Sequence, residues 1–156
     1  MKKNLAIIFI AIAALAFTIT AFTKHNKTAA TVGFNHLALY VYDLKVSTDF
    51  YEKLIGLQKI EEPFHDGRHT WFKLTEHGHL HIISGNKKDQ PHIKDTHICF
   101  SVPSVEDFIK KLNAEKIPFE SWKGEKQQFT LRVDGVKQVY FQDPDGFWVE
   151  VNDAKD

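Results

Sequence analysis

The chain has 156 residues, 43% of them hydrophobic and 26% charged, with a formal net charge of zero. That length and balance fit one globular domain. With no basic excess and no run of like charges, the composition excludes an electrostatic grip on nucleic acid and a long charged, disordered tail.

Lys2 and Lys3 precede an apolar run from Leu5 to Phe22, broken only by Thr18 and Thr20. A basic start followed by such a run reads as a secretory signal or an N-terminal membrane anchor. The run lies near the lower limit for crossing a bilayer, about 20 residues, and the small residues around Thr20 to Thr23 favour cleavage. Residues 1–23 are therefore assigned to a signal peptide, or to an anchor if it stays uncleaved, and residues 24–33 to a polar linker. The remainder is expected outside the cytoplasm: periplasmic, extracellular or held on the outer face of the inner membrane. Cys99 is the single cysteine, which excludes an internal disulfide. Within His97-Ile98-Cys99-Phe100 it reads as a small buried hydrophobe.

Residues 34–41 (FNHLALYV) read as a strand, with His36, Ala38 and Tyr40 on one face and Leu37 and Leu39 on the other. Asp43 then precedes a helix in which Phe50, Leu54 and Leu57 recur at helical spacing, and Gly56 closes it. Residues 57–62, 69–75 and 79–84 read as strands, separated by a loop at 63–67 and a turn at Glu76-His77-Gly78. After a polar loop, 85–95, the order starts again with a strand at 96–102. Ser104 is an N-cap with Asp107 three residues on, and Val105, Phe108, Ile109 and Leu112 form a helical stripe. Residues 117–122 are extended but interrupted by Pro118, and 129–133 and 136–142 are strands about an Asp134-Gly135 turn. The turn Asp143-Pro144-Asp145-Gly146 then leads into the closing strand, which carries Glu150.

A strand, a helix and three strands thus occur twice. Asn35-His36-Leu37 aligns with Thr96-His97-Ile98, Asp43 with Ser104, and Leu80-His81-Ile82 with Val149-Glu150-Val151. The reading is one α+β domain over 34–153, built from two βαβββ modules, 34–90 and 95–153.

The repeat sets four donors at two equivalent pairs, His36 with His97 and His81 with Glu150. A carboxylate between Val149 and Val151 is costly to bury without a cation or hydrogen-bond donors; the plain alternative is an edge strand with Glu150 in water. If the halves curve toward each other, the donors converge on one divalent metal ion. Imidazole with carboxylate suits Zn, Ni, Mn, Fe or Co, and three protein donors with open positions make a catalytic site. His81 stays open as a fourth ligand, a general base or a donor to a ligand. His65, His69, His77, His79 and His92 read as loop or surface residues, although His79 shares a face with His81. Tyr40, Trp71, Phe72, Phe129, Tyr140 and Trp148 are candidates for pocket walls or for plain core.

The motifs NHLALYVYDLKVSTDFYEKLIGL, DTHICFSV and YFQDPDGFWVEV resemble those of the vicinal oxygen chelate superfamily, the group of glyoxalase I, the bleomycin-resistance proteins, the fosfomycin-resistance thiol transferases and the extradiol dioxygenases. The resemblance implies paired βαβββ modules forming a cup-shaped mixed β-sheet around one divalent metal. It also implies a small-molecule substrate chelated through adjacent oxygens, and a homodimer that shares the site between subunits. It matches His36, His97 and Glu150 to the common ligands and puts His81 where glyoxalase I has a ligating glutamate that doubles as base. Tyr140 matches the tyrosine before Asp-Pro in the dioxygenases, so His81 and Tyr140 are the catalytic candidates. Tyr40 stands where glyoxalase I carries an arginine for glutathione, and Ala38 where the fosfomycin enzymes carry a threonine. Leu131 to Lys137 lacks the dioxygenases' upstream histidine. The expectation is a metal-dependent lyase or isomerase most like glyoxalase I, with an extradiol-type dioxygenase or a metal-free drug binder as alternatives.

Overall fold

Alternating polar and apolar residues form β1 (His36–Val41), with Leu37, Leu39 and Val41 turned inward. The computed structural model describes residues 32–155. The signal-or-anchor reading and most of the linker fall on residues outside it. No helix among the described residues is long and apolar enough to cross a membrane. Asp43 caps α1 (Leu44–Asp49) by accepting the Val46 N–H at 3.1 Å. The helix then widens into a π-helical turn (Phe50–Ile55) and stops at Gly56, whose φ of 87° lies in the left-handed region. Sequence spacing foresaw a helix ending at Gly56 but not the wider turn, which sends both Tyr51 and Leu54 into the core.

The first module continues with β2 (Gln58–Ile60), β3 (His69–Lys73) and β4 (His79–Ser84). They form a four-stranded mixed sheet in the order β1-β4-β3-β2, with β1 parallel to β4. The second module has β5 (His97–Ser101), α2 (Val105–Ala114), β6 (Phe119–Glu120), β7 (Thr130–Leu131), β8 (Lys137–Gln142) and β9 (Trp148–Asn152). Ser104 caps α2 by accepting the Asp107 N–H. Its sheet runs β5-β9-β8-β6, with β7 also on β8 and β5 parallel to β9. The order of the first sheet therefore recurs in the second. Pro118, which has no N–H to donate, precedes β6, and that strand is only two residues long.

The register makes the duplication quantitative. Ala38 pairs with His81 across β1 and β4, and Cys99 with Glu150 across β5 and β9. On the other side, Trp71 of β3 is opposite His81, and Tyr140 of β8 is opposite Glu150. His36 and His97 each sit two residues before the partner of the later donor.

The modules are joined through their apolar faces. Leu39, Val41, Tyr51, Phe72, Leu80 and Ile82 form one core cluster; Val105, Phe108, Leu112, Val139, Phe141, Val149 and Val151 form another. Phe50, Ile55 and Phe100 pack against both. Polar contacts fasten the same seam. Asp145 accepts the Tyr42 N–H at 2.5 Å and the Ser47 hydroxyl at 2.6 Å, and Asp143 accepts the Tyr51 hydroxyl at 2.8 Å. The Asp-Pro-Asp-Gly turn of module two is thus bonded to β1's end and α1 of module one.

Candidate metal and substrate site

On the second sheet, Glu150 is 6% exposed, which removes the alternative of a carboxylate in water. Its Oε2 accepts the Tyr140 hydroxyl at 2.5 Å and its Oε1 accepts Asn152 Nδ2 at 2.9 Å. Burial by itself would raise its pKa; the hydrogen bonds from Tyr140, Asn152 and Cys99, with His97 nearby, outweigh it and hold the carboxyl below its usual value. Burial and the bond to Glu150 push the Tyr140 phenol up, so it stays a donor.

His97 lies beside this carboxylate, with Nε2 at 3.1 Å from Glu150 Oε2. Its Nδ1 donates to the Lys94 carbonyl at 2.8 Å. In the neutral imidazole that assignment leaves a lone pair on Nε2 facing a carboxylate oxygen. Two acceptors at that distance need a proton or a cation to bind them together. A ring nitrogen donating to a carbonyl while the other faces outward is also how metal-ligating histidines are held. The pair therefore fits half of a divalent-metal site.

On the first sheet, His81 is 8% exposed and its ring is sandwiched. His36 stacks on it at 4.2 Å between centroids and Trp71 at 3.8 Å, with 3° between the Trp71 and His81 planes. Its Nε2 is buried and has no hydrogen-bond partner. Burial, then the neighbouring His36, His79 and His69, lowers the His81 pKa to about 4, so the ring stays neutral at physiological pH. A buried neutral imidazole with a free lone pair is the chemistry of a ligand nitrogen, and this pair fits the other half of such a site.

The two pairs do not meet within the chain. Among the described residues, no group of three or more His, Cys, Asp or Glu side chains is placed to hold a metal ion. The convergence that the sequence made conditional on the halves curving together is thus not found within one chain among the described residues. The reason is the seam: the modules pack through their apolar faces, so the donors lie on the faces turned away from it. Both pairs sit on an edge strand and its neighbour, β1 with β4 and β5 with β9.

Three smaller expectations also change. Cys99 is exposed on β5 rather than buried in the core; Ile98 and Phe100 face the core, so alternation turns Cys99 to the Glu150 side. His69 and His79 are half-buried strand residues on the His81 side of the first sheet, with the His79 and His81 ring centroids 6.1 Å apart. His92 is half-buried too, its ring 3.9 Å from Phe147. Alternation already sets Asn152 on the Glu150 face, two residues on; the residue the sequence did not single out is Lys94, which nothing local marks. The Lys94 ammonium pairs with Glu120, donates to the Ser121 and Trp122 carbonyls, and lies 4.8 Å from the Trp148 ring and 5.6 Å from Tyr140. Beside it a cavity of about 260 Å³ opens, lined by Glu120, Lys126, Tyr140 and Trp148 among others.

Two modules that share the βαβββ strand order, the second with β7 added to its sheet, each with an imidazole and a second donor in matched register, define the class: a duplicated module protein built to present polar ligands from two sheet faces. Residues 33–151 match the family model of the Glyoxalase/Bleomycin resistance protein/Dioxygenase superfamily, and the chain belongs to that family. It is 28% identical to a lactoylglutathione lyase of Pseudomonas putida, over 81% of this chain and 87% of the relative. It is 31% identical to the metallothiol transferase FosB of Bacillus licheniformis, over 83% of this chain and 78% of the relative. Among solved structures, a glyoxalase/dioxygenase from Nostoc punctiforme superposes with a TM-score of 0.64 at 22% identity, covering 80% of this chain and 92% of that one.

Proposed function

We propose that the protein is a divalent-metal-dependent enzyme of the glyoxalase type, a lyase or isomerase acting on a small molecule with two adjacent oxygens. One ion is held by His36 and His81 of one protomer together with His97 and Glu150 of its partner. The observation that carries this reading is the His97–Glu150 pair, whose facing lone pairs call for a proton or a cation between them, a place a divalent ion fits. The edge positions of β1 and β5 support the shared site. Laying the first sheet of one protomer edge to edge with the second sheet of another joins the two half-sites, and free strand edges are suited to such pairing.

The ion, when bound, supplies Lewis acidity toward a substrate oxygen. The chain's own residues do the rest. His97 is aimed by the Lys94 carbonyl, Glu150 is kept ionised as a ligand by the Tyr140 and Asn152 donors, and the neutral His81 is the candidate to take a proton. The cavity beside Tyr140 and Trp148 offers a substrate apolar walls, with Lys126 and Glu120 also in its lining. Tyr40 in place of an arginine, and the exported address inferred for residues 1–23, favour a substrate other than a glutathione adduct. Tyr140 is tied to Glu150 rather than free, which supports the lyase reading over ring cleavage.

The test is metal analysis of untagged full-length protein. Zinc, nickel, manganese or cobalt in stoichiometric amount, lost in His97→Ala, with isomerase activity on 2-oxoaldehyde–thiol adducts, is the expected result. Iron with oxygen uptake on catechols would move the assignment to a dioxygenase. No metal, with tight binding of an aromatic drug, would overturn it in favour of a binding protein.

A further inference from the structure

Three of the four donors have a hydrogen-bonding partner that aims them. Asn35 Oδ1 lies 2.7 Å from His36 Nδ1, the Lys94 carbonyl holds His97, and Tyr140 and Asn152 hold Glu150. His81 Nε2 has none. Its ring is gripped by rings instead, closest by Trp71, whose indole lies 3.8 Å away and within 3° of parallel. Trp71 is only half-buried and stands on the open face of β3, with Phe64 edge-on against it at 6.0 Å. It is therefore not placed to fill the core, whose residues on the same strand are Thr70 and Phe72.

The register gives this contact its meaning. Trp71 is the cross-strand partner of His81 in the first module, and Tyr140 is the cross-strand partner of Glu150 in the second. Duplication has put an aromatic residue at the same place beside the later donor of each half. Each uses the interaction its neighbour's chemistry allows. A phenol donates a hydrogen bond to a carboxylate; an indole offers a flat face to an imidazole.

We infer that Trp71 is the positioning residue of His81: stacked on the ring together with His36, it fixes the rotation in which Nε2 can serve the shared site. The inference rests on the metal reading above, and concerns the side chain that orients one ligand. Removing the hydrogen-bonding partner that orients a ligand typically weakens metal binding by about 10–100-fold, and the stacked indole takes that partner's place here. Losing it leaves His36 as the close stacking partner and widens the range through which the His81 ring can rotate about its Cβ–Cγ bond.

The experiment is a Co²⁺ titration of the full-length protein followed by visible absorption, for wild type, W71L, W71F, H81A and the double variant W71L/H81A. W71L is expected to weaken Co²⁺ binding by about 10-fold or more and to change the band shape, and W71F, which keeps a ring to stack, is expected to lie between W71L and wild type. In the H81A background W71L is expected to make no further difference, because its effect passes through that imidazole. Wild-type affinity in W71L, or an equal loss with and without His81, would show Trp71 to be an ordinary wall residue and overturn the inference. Should W71L fail to fold by circular dichroism, W71F in the two backgrounds carries the same comparison: a loss that disappears without His81 supports the inference, and no loss, or a loss that persists, overturns it. Absence of Co²⁺ binding by the wild-type protein would instead overturn the metal reading itself, so the two failures are distinguishable.

Discussion

At the scale of single residues, Glu150 and Asp143 show one chain treating two buried carboxylates in opposite ways. Glu150 receives enough donors to stay ionised, whereas Asp143, 5% exposed, is raised to about 6. Burial is the cause; the bonds from the Tyr51 hydroxyl and from the Phe147 and Asp145 N–H groups offset it only in part. The consequence for stability follows from linkage. The folded state holds this proton more tightly than the unfolded chain, whose value is the ordinary 3.8. Stability from this group is therefore full below about pH 4 and lost as pH rises to about 6, a difference of roughly 3 kcal/mol. Asp143→Asn mimics the protonated acid, with Nδ2 able to donate to the Tyr51 oxygen. Urea midpoints measured from pH 4 to pH 7 should fall more steeply in wild type than in this variant; parallel profiles would contradict the assignment. The sequence marked Glu150 as a carboxylate in need of partners because its neighbours on the strand are both valines. It did not mark Asp143, because its partner Tyr51 lies far away in the chain and no spacing rule connects them.

At the scale of elements, most strands were legible and the two helices began where capping residues said they would. Period-two alternation separated the inward face of β1 from the face that carries His36, and on β4 and β9 it set His81 and Glu150 on the face opposite their apolar neighbours, although both are themselves buried. The same rule applied to β5 turns Cys99 out of the core, against the usual burial of a free cysteine. The π-helical turn left no sequence trace, since its widening answers to packing against two cores at once. The Asp-Pro-Asp-Gly stretch was legible as a turn but not as a fastener. Asp145→Ala strips the partner from the Tyr42 N–H and from the hydroxyl of Ser47, which is fully buried. A loss of about 3 kcal/mol in urea unfolding is expected, since a buried polar group left unpaired costs roughly 1–3 kcal/mol. Asp134→Ala, at the exposed Arg132–Asp134 pair, should change stability by less than about 0.5 kcal/mol. Equal effects from the two substitutions would contradict the role given to the seam.

At the scale of the whole molecule, the sequence displayed the duplication but not how the copies face each other. Alternation tells which side chains share a sheet face; it is silent on which face the other module covers. Here the apolar faces meet, and the donors are left in two separate pairs on outward faces. The proposed function therefore depends on a second copy of the chain to complete each site. The direct test uses two variants, His36→Ala/His81→Ala and His97→Ala/Glu150→Ala, produced separately and together in one cell. Each alone is expected to bind no divalent metal and to be inactive. Co-produced, they form mixed dimers in which one of the two sites has all four donors, so metal binding and activity return in part. If wild type binds metal but the mixed protein binds none, the site is not shared between subunits and the account fails.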